Sequence, residues 1–462
     1  MRALRPARKP ETALRSSLWA GAQRPHSGAG RSTRCVIMST METIDPNEAL
    51  LARYARRNFW LNVLDGSAFL FGISMVSRFT VLPLVVERLS DARWLQGLIP
   101  AIFYAGWLIP GLFMAPLVKA MPQRKAWIMR ATIGERLPYL ALGLVLLFAP
   151  GLPPALLLTI IFTLYAIFAV CAGLTSTAWQ DFIARVIPAR SWGTFFGLQS
   201  GVGGMFGVGG AAIATAILAS QPFPQSVGIL ALICFASMVL SYLFLGLTVE
   251  PPQAVGPRQP MMAFLRGIGP LLQRDMMFRR YLFSRAAIAL GLTGHSFLTA
   301  AALERFSPSP TQIGIFTAAL LAAQALANVG LGALADRWGH KQVLELAAGL
   351  GMLALALALF VPDANWFVPI FMLVGTAQAG YQLAGFTLVF AFSPPAERPT
   401  YIGVANTALA PVSALGPLLA GLLATATSYG VVFIVLALIG LAGLAVLHWQ
   451  VTAPARAAEP AA

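Results

Sequence analysis

Five ionisable residues stand inside stretches that are otherwise apolar: Asp65, Arg78, Glu135, Arg136 and His295. At the centre of a bilayer each such group costs at least about 2.5–3.5 kcal/mol, so it is kept where it faces a cavity or a partner and works there. A carboxylate, or a histidine with an ordinary pKa near 6.5, can take up and release a proton in the working range. Asp65, Glu135 and His295 therefore suggest proton coupling or gating. Asp65 lies under two turns from Asn58, so a structural role near one end of its helix competes. It is about 20 Å along a helix axis from Arg78, too far to pair with it. Arg78 either neutralises an anionic solute or extends to the interface. Glu135 and Arg136 are adjacent, point about 100° apart and must seek partners on different helices, one in an ion pair and one lining a cavity. Pro138 follows and is expected to kink that helix. His295 is flanked by Thr293, Ser296 and Thr299, so a bond to a neighbouring hydroxyl competes with a proton-carrying role.

A neutral constellation accompanies these charges. Gln378, Tyr381, Gln382 and Gly385 recur at i, i+3, i+4 and i+7, one stripe of a helix, while Gln324 and Asn328 are i, i+4 on another and Asn406 precedes Thr407 on a third. Amides and a phenol both donate and accept hydrogen bonds, so with Arg78 they can replace water around a small polar solute. The alternative is bonding between helices, worth about 0.6 kcal/mol on average. Trp60, Tyr104, Trp107 and Tyr165 add stacking area or lie at the interface belt. No convergent nucleophile, base or ligand set accompanies His295, so an enzyme is not expected. The phosphate-binding pattern Gly-x-x-x-x-Gly-Lys-Ser/Thr is absent, which removes an ATPase. Cys35, Cys171 and Cys234 are odd in number, and no disulfide framework, metal site or cofactor is expected.

The elements that carry these residues must be membrane spans. The 462 residues are 58% hydrophobic and only 11% charged, against a globular norm of about 25% charged. At about 20 apolar residues per span, helices fall near 59–85, 94–118, 125–148, 154–178, 192–219, 226–248, 281–303, 311–335, 341–361, 365–391, 400–426 and 429–449. The long break near 250–280 divides six from six. The expected organisation is a disordered basic tail (1–50), a six-helix bundle (51–249), a cytoplasmic linker with an amphipathic helix (250–280), a second bundle (281–450) and a short C-terminal tail (451–462).

The formal charge of +15 needs its own account. Eight of the 32 bases and one of the 17 acids precede Met38. That stretch reads as an upstream extension of the true start at Met38 or Met41, with an organellar transit peptide as the alternative. Of the other 24 bases, Arg88, Arg93 and Arg305 lie in odd-numbered connections and Arg78 and Arg136 inside spans. The remaining nineteen are assigned to the termini, the even-numbered loops and the linker. Cytoplasmic loops carry such an excess, so both termini are expected in the cytoplasm. The charge then records orientation, and no nucleic-acid partner is expected.

After the eighth span the chain reads Gly332-Ala-Leu334-Ala335-Asp336-Arg337-Trp-Gly339-His-Lys341. It is a tight turn in which Gly339 can take positive φ. Asp336 can face the positive N-terminal end of a neighbouring helix there, and Arg337 an acid or a helix C-terminus. This segment resembles the loop signature G-x-L-A-D-R-x-G-R-K of the major facilitator superfamily, placed after the second helix of each half. The resemblance in helix count and midpoint linker covers nearly all of residues 51–450. It implies an all-α polytopic fold of twelve helices in two six-helix bundles, with Gly332, Asp336, Arg337, Gly339 and Lys341 as a gating latch. An offset of 217 sets Lys119 against Asp336 and Ala120 against Arg337, so the first half keeps a basic loop and loses its latch. The glycines of the fifth span approximate the antiporter cluster without its proline, and tight packing is the favoured reading. Asp181 and Arg185, four apart after the fourth span, can pair on one helix face.

The expectation is a monomeric secondary active transporter in a bacterial inner membrane. It would move a small organic solute by alternating access, with proton coupling through Asp65, Glu135 or His295. Efflux of a drug or metabolite is slightly favoured. The alternatives are an uptake permease for a sugar- or peptide-like nutrient and, from another class, a non-transporting sensor or scaffold.

Overall fold

A proline-free run of apolar residues must close its backbone hydrogen bonds internally in lipid, and helices do this within one segment. The computed structural model describes residues 46–78, 80–90, 94–252, 260–308 and 310–452, and every element among them is helical. The first half holds α1 (Pro46–Met75), α2 (Val81–Leu89), α3 (Trp94–Lys119), α4 (Lys125–Ala131), α5 (Ile133–Phe148), α6 (Pro154–Val186), α7 (Trp192–Ser220) and α8 (Gln225–Leu247). The connection carries α9 (Met261–Arg274). The second half holds α10 (Met276–Leu292), a 3-10 turn at Thr293–Phe297, α11 (Leu298–Phe306), α12 (Pro310–Trp338), α13 (His340–Phe360), α14 (Phe367–Phe392), α15 (Arg398–Ala426) and α16 (Tyr429–Gln450).

Among the described residues, eleven helical segments are long and apolar enough to cross a membrane. The first span is the exception. At 30 residues α1 is long enough, but Arg53, Arg56, Arg57 and Asp65 dilute its hydropathy. The third span is interrupted at Thr132, between α4 and α5, whereas Pro138 lies within α5. Thr132 donates its hydroxyl to the Ile128 carbonyl at 2.8 Å, a back-bond that bends helices. The break therefore falls six residues before the proline that the sequence nominated.

The two halves repeat. Met75, where α1 ends, and Val81, where α2 begins, are each 217 residues before Leu292 and Leu298, where α10 ends and α11 begins. That is the offset relating Leu117 to Leu334. Each half thus opens with an interrupted helix, with Arg78 and His295 at equivalent places in the two breaks.

One end of the molecule, the basic end, carries the start of α1 and the ends of α8 and α16. There Asn58 Nδ2 donates to the Val249 carbonyl at 2.8 Å and Arg280 to the Gln450 carbonyl at 3.2 Å. At this end a single apolar core draws Phe182, Trp192 and Phe195 from the first half together with Leu388, Phe390 and Tyr401 from the second. Away from it the cores separate. One consists of first-half residues such as Met75, Tyr139, Phe168 and Met238, the other of second-half residues such as Leu298, Phe316, Phe367 and Phe433.

Candidate transport cavity and its closed end

The seal at the basic end begins with glycines. A Cβ on Gly193 or Gly197 of α7 would collide with the Gly332 or Asn328 carbonyl of α12, and one on Gly201 would lie 2.6 Å from Val329. Small residues let helix backbones approach this closely. The approach stops there: Gly204 and Gly209 have no neighbour within 4 Å, and Gly207 meets only Ser74 of its own half at 3.9 Å. The glycine stripe expected to pack along its length therefore packs against the other half over its first part only. On the opposite seam Gly403 of α15 sits 3.1 Å from Ala115 and 3.4 Å from Leu112 of α3, measured from a would-be Cβ. Gly416 and Gly421 of α15 meet residues of their own half.

Asp336 lies at the end of α12 and addresses the first turn of α7. Its two carboxylate oxygens accept from the Gly193 N–H at 2.7 Å and the Thr194 N–H at 2.6 Å. Those amides lack intrahelical partners and carry the positive end of the helix dipole, so a carboxylate there is doubly favoured. Gly339 takes φ +117°, a conformation that favours glycine, and turns the chain into α13. Lys341 holds α13 to α16, 3.4 Å from Glu345 and 3.0 Å from the His448 carbonyl. Arg337 is exposed.

The first-half loop has lost its acid, and a different acid serves the other seam. Asp181 at the end of α6 is fully buried and receives Arg124 Nε at 2.7 Å and Arg185 Nε at 2.8 Å. Arg398, the first residue of α15, brings Nη1 to 4.0 Å of the same carboxylate from the other half. Between the seams lies an aromatic layer. Trp192 meets Phe390 edge-on with centroids 5.3 Å apart, and Phe196 stacks on Phe386 at 6.0 Å. Just outside the spans, Glu250 accepts from the Arg124 and Lys125 backbone N–H groups at 3.0 and 2.8 Å. Burial raises its pKa, against the lowering effect of those two N–H groups.

Three of the five intramembrane ionisable residues, Asp65, Glu135 and Arg136, come together inside the first half. Ser241 of α8 donates to Asp65 Oδ1 at 2.6 Å and accepts from Arg136 Nη2 at 3.4 Å. Arg136 also donates to the Met238 and Thr132 carbonyls at 2.8 and 2.7 Å, and Thr175 of α6 donates to Glu135. Asp65, Glu135 and Arg136 are all buried. His295 stands apart in the second half, where Nε2 lies 3.0 Å from the Gly351 carbonyl of α13 and a backbone group replaces the expected hydroxyl partner.

Among the proposed cavity residues, Gln382 is exposed and Gln324, Gln378 and Tyr381 are half-buried. Asn328 and Asn406 are buried near the seams, and Asn406 Nδ2 has no hydrogen-bond partner. Arg78 lies over the Phe103 ring, 3.8 Å from its centroid. Among the described residues no group of three His, Cys, Asp or Glu could hold a metal ion.

One residue escaped the sequence reading. Arg285, counted with the basic-end charges although it falls four residues inside the expected span 281–303, lies nine residues into its helix: α10 starts at Met276, five residues before the expected boundary, because Asp275 accepts from the Phe278 N–H at 2.9 Å and caps it. An aspartate directly before Met276 was the available signal. Arg285 is buried against Gly385 of α14, whose would-be Cβ lies 2.8 Å from Nη2. The Tyr381 hydroxyl donates to the Arg285 carbonyl at 3.3 Å and the Tyr281 hydroxyl to that of Gly385 at 2.8 Å.

Residues 281–462 match the sequence profile of the Major Facilitator Superfamily. No curated relative matches the sequence. Solved transporters share the fold. The human organic anion transporter TETRAN superposes with a TM-score of 0.67 at 15% identity, covering 85% of this chain and 99% of its own. The E. coli fucose:proton symporter FucP gives 0.67 at 14%, with 85% and 98% covered. A bacterial homologue of the iron transporter ferroportin, in its outward-facing state, gives 0.66 at 17%, with 85% and 98% covered.

Proposed function

We propose that this chain, a member of the major facilitator superfamily by the sequence of its second half and by its fold throughout, moves a small organic solute by alternating access. The observation that carries the proposal is the contrast between the two ends. At the basic end one core, two seams and the Asp336 latch join the halves, whereas beyond Gly201 the facing glycines have no neighbours across the gap. A protein that exposes a midplane site to one side at a time requires such an end state. With the basic end in the cytoplasm, as the positive-inside rule places it, this state is open to the outside. A bacterial inner membrane, both termini cytoplasmic, is the setting we propose, with efflux slightly favoured over nutrient uptake.

Proton coupling belongs to the Asp65, Glu135 and Arg136 cluster. Asp65 reaches the Arg136 guanidinium through Ser241, and Glu135, held by Thr175, is the chain neighbour of Arg136, so one carboxylate can exchange a proton without leaving the cation uncompensated. The test is flux of a stabilising solute in proteoliposomes under an imposed pH gradient. The expected result is gradient-driven accumulation by the wild type that collapses in Asp65→Asn. Flux indifferent to the gradient in both proteins rejects coupling and leaves facilitated transport.

A further inference from the structure

Among the described residues the buried arginines are compensated, with one exception. Arg124 and Arg398 share Asp181, and Arg136 reaches Asp65 through Ser241. Arg285 is 4% exposed, its Nε and Nη1 have no hydrogen-bond partner, and among the described residues no carboxylate lies within ion-pair distance. The polar groups nearest it are the Tyr281 and Tyr381 phenols, both of which spend their hydrogens on backbone carbonyls. It stands nine residues into α10, about 14 Å from the helix end, within a segment long and apolar enough to cross a membrane. An isolated buried charge is strongly disfavoured unless something pairs with it.

We infer that Arg285 is the anchor for an anionic group on the transported solute, so that the cavity takes an organic acid. The surroundings fit a carboxylate. Arginine presents paired donors in a planar fork that matches its two oxygens, and Nε and Nη1 are the two donors left open. Gly385 makes the room, since any side chain there would press on the guanidinium. The groups that cover the charge are themselves not fully buried. Tyr381 and Phe386, both half-exposed, lie 5.9 and 6.0 Å from the guanidinium carbon, and Gln382 beside them is exposed. Phe386 is also the ring that stacks on Phe196 of the first half. An anion that draws Arg285 forward therefore acts on the aromatic layer closing the basic end. The inference rests on the transporter reading, because a charge kept for a solute needs a solute that enters.

The test uses the full-length purified protein and matched probes: benzoate with benzamide, succinate with succinamide, lactate with lactamide. The expected result is a rise in Tm with at least one acid, none with its amide, and loss of that rise in Arg285→Met. Arg285→Lys should retain part of it. Without any probe Arg285→Met should be at least as stable as the wild type, because it removes an uncompensated charge. A lowered Tm of the unliganded Arg285→Met protein, the absence of any acid-selective shift, or a shift that survives in Arg285→Met overturns the inference. Flux separates it from the parent reading. An acid that binds through Arg285 but is never moved in proteoliposomes counts against transport alone. A neutral solute moved equally by wild type and Arg285→Met leaves transport standing and removes the anion site.

Discussion

Asp336 makes its contacts where a carboxylate is worth most, on two N–H groups of a helix first turn. Hydrogen bonds to a charged group contribute about 1.5–3 kcal/mol. Asp336→Ala should thus weaken the closed basic end by about 10- to 100-fold, read as a shift in spin-label distances across the α7 and α12 seam. Unchanged distances would show that the glycine packing suffices. Glu250 offers a pH test. Its native pKa lies above the ordinary 4.5, so in the window just above 4.5 the folded protein binds more protons than the unfolded one. Stability should therefore fall as pH rises through that window. Glu250→Gln should flatten that segment of a Tm-against-pH curve. Much of this scale was legible in the sequence. The Asp336 partner type and the Gly339 conformation follow from motif and helix-dipole reasoning. Arg285 was not, because a five-residue error in one boundary put it four residues from the expected span end, among the basic-end charges, instead of nine. Nor was the carbonyl partner of His295, since backbone acceptors on another helix leave no mark in sequence.

At the scale of elements, the sequence showed where glycines cluster but not which of them touch. Gly193, Gly197 and Gly204 look alike in α7, yet only the first two meet α12. Hydrophobic periodicity cannot tell a face packed on a neighbour from one open to a gap, because both are small and apolar. Gly197→Val should accordingly force the α7 and α12 backbones apart and populate the state open at the basic end. Gly204→Val has space in this state and should not open the basic end. Equal effects of the two, in the same spin-label measurement, would contradict the seam assignment. The first half's missing loop acid was read as a lost latch. The structure reaches across that seam by another route, through Asp181 and Arg398. Asp181 also neutralises Arg124 and Arg185 within its own half. Removing one partner of a buried pair costs about 3–5 kcal/mol. Asp181→Ala is therefore expected to lower Tm, where Asp336→Ala chiefly moves the conformational equilibrium.

For the whole molecule, the two seams cross the gap on either side of the aromatic layer, and both lie at the basic end. A rocking motion that opens this end must break Asp336 from α7 and Arg398 from Asp181, and slide Phe196 off Phe386. The same motion must close the part of α7 around Gly204, which has no neighbour within 4 Å in this state. Gating at one end is thus tied by rigid helices to the other, since α7 at 29 residues spans both. In a cysteine-free background, a cysteine at Gly204 should react with a membrane-impermeant maleimide added outside, and a cysteine at Asn328 should not. Saturating solute should slow labelling of the first and expose the second to reagent added from the basic side. Labelling at both ends that rises and falls together would mean a channel-like opening and would exclude alternating access. Reciprocal change is the outcome that two rigid bundles with a single shared core require.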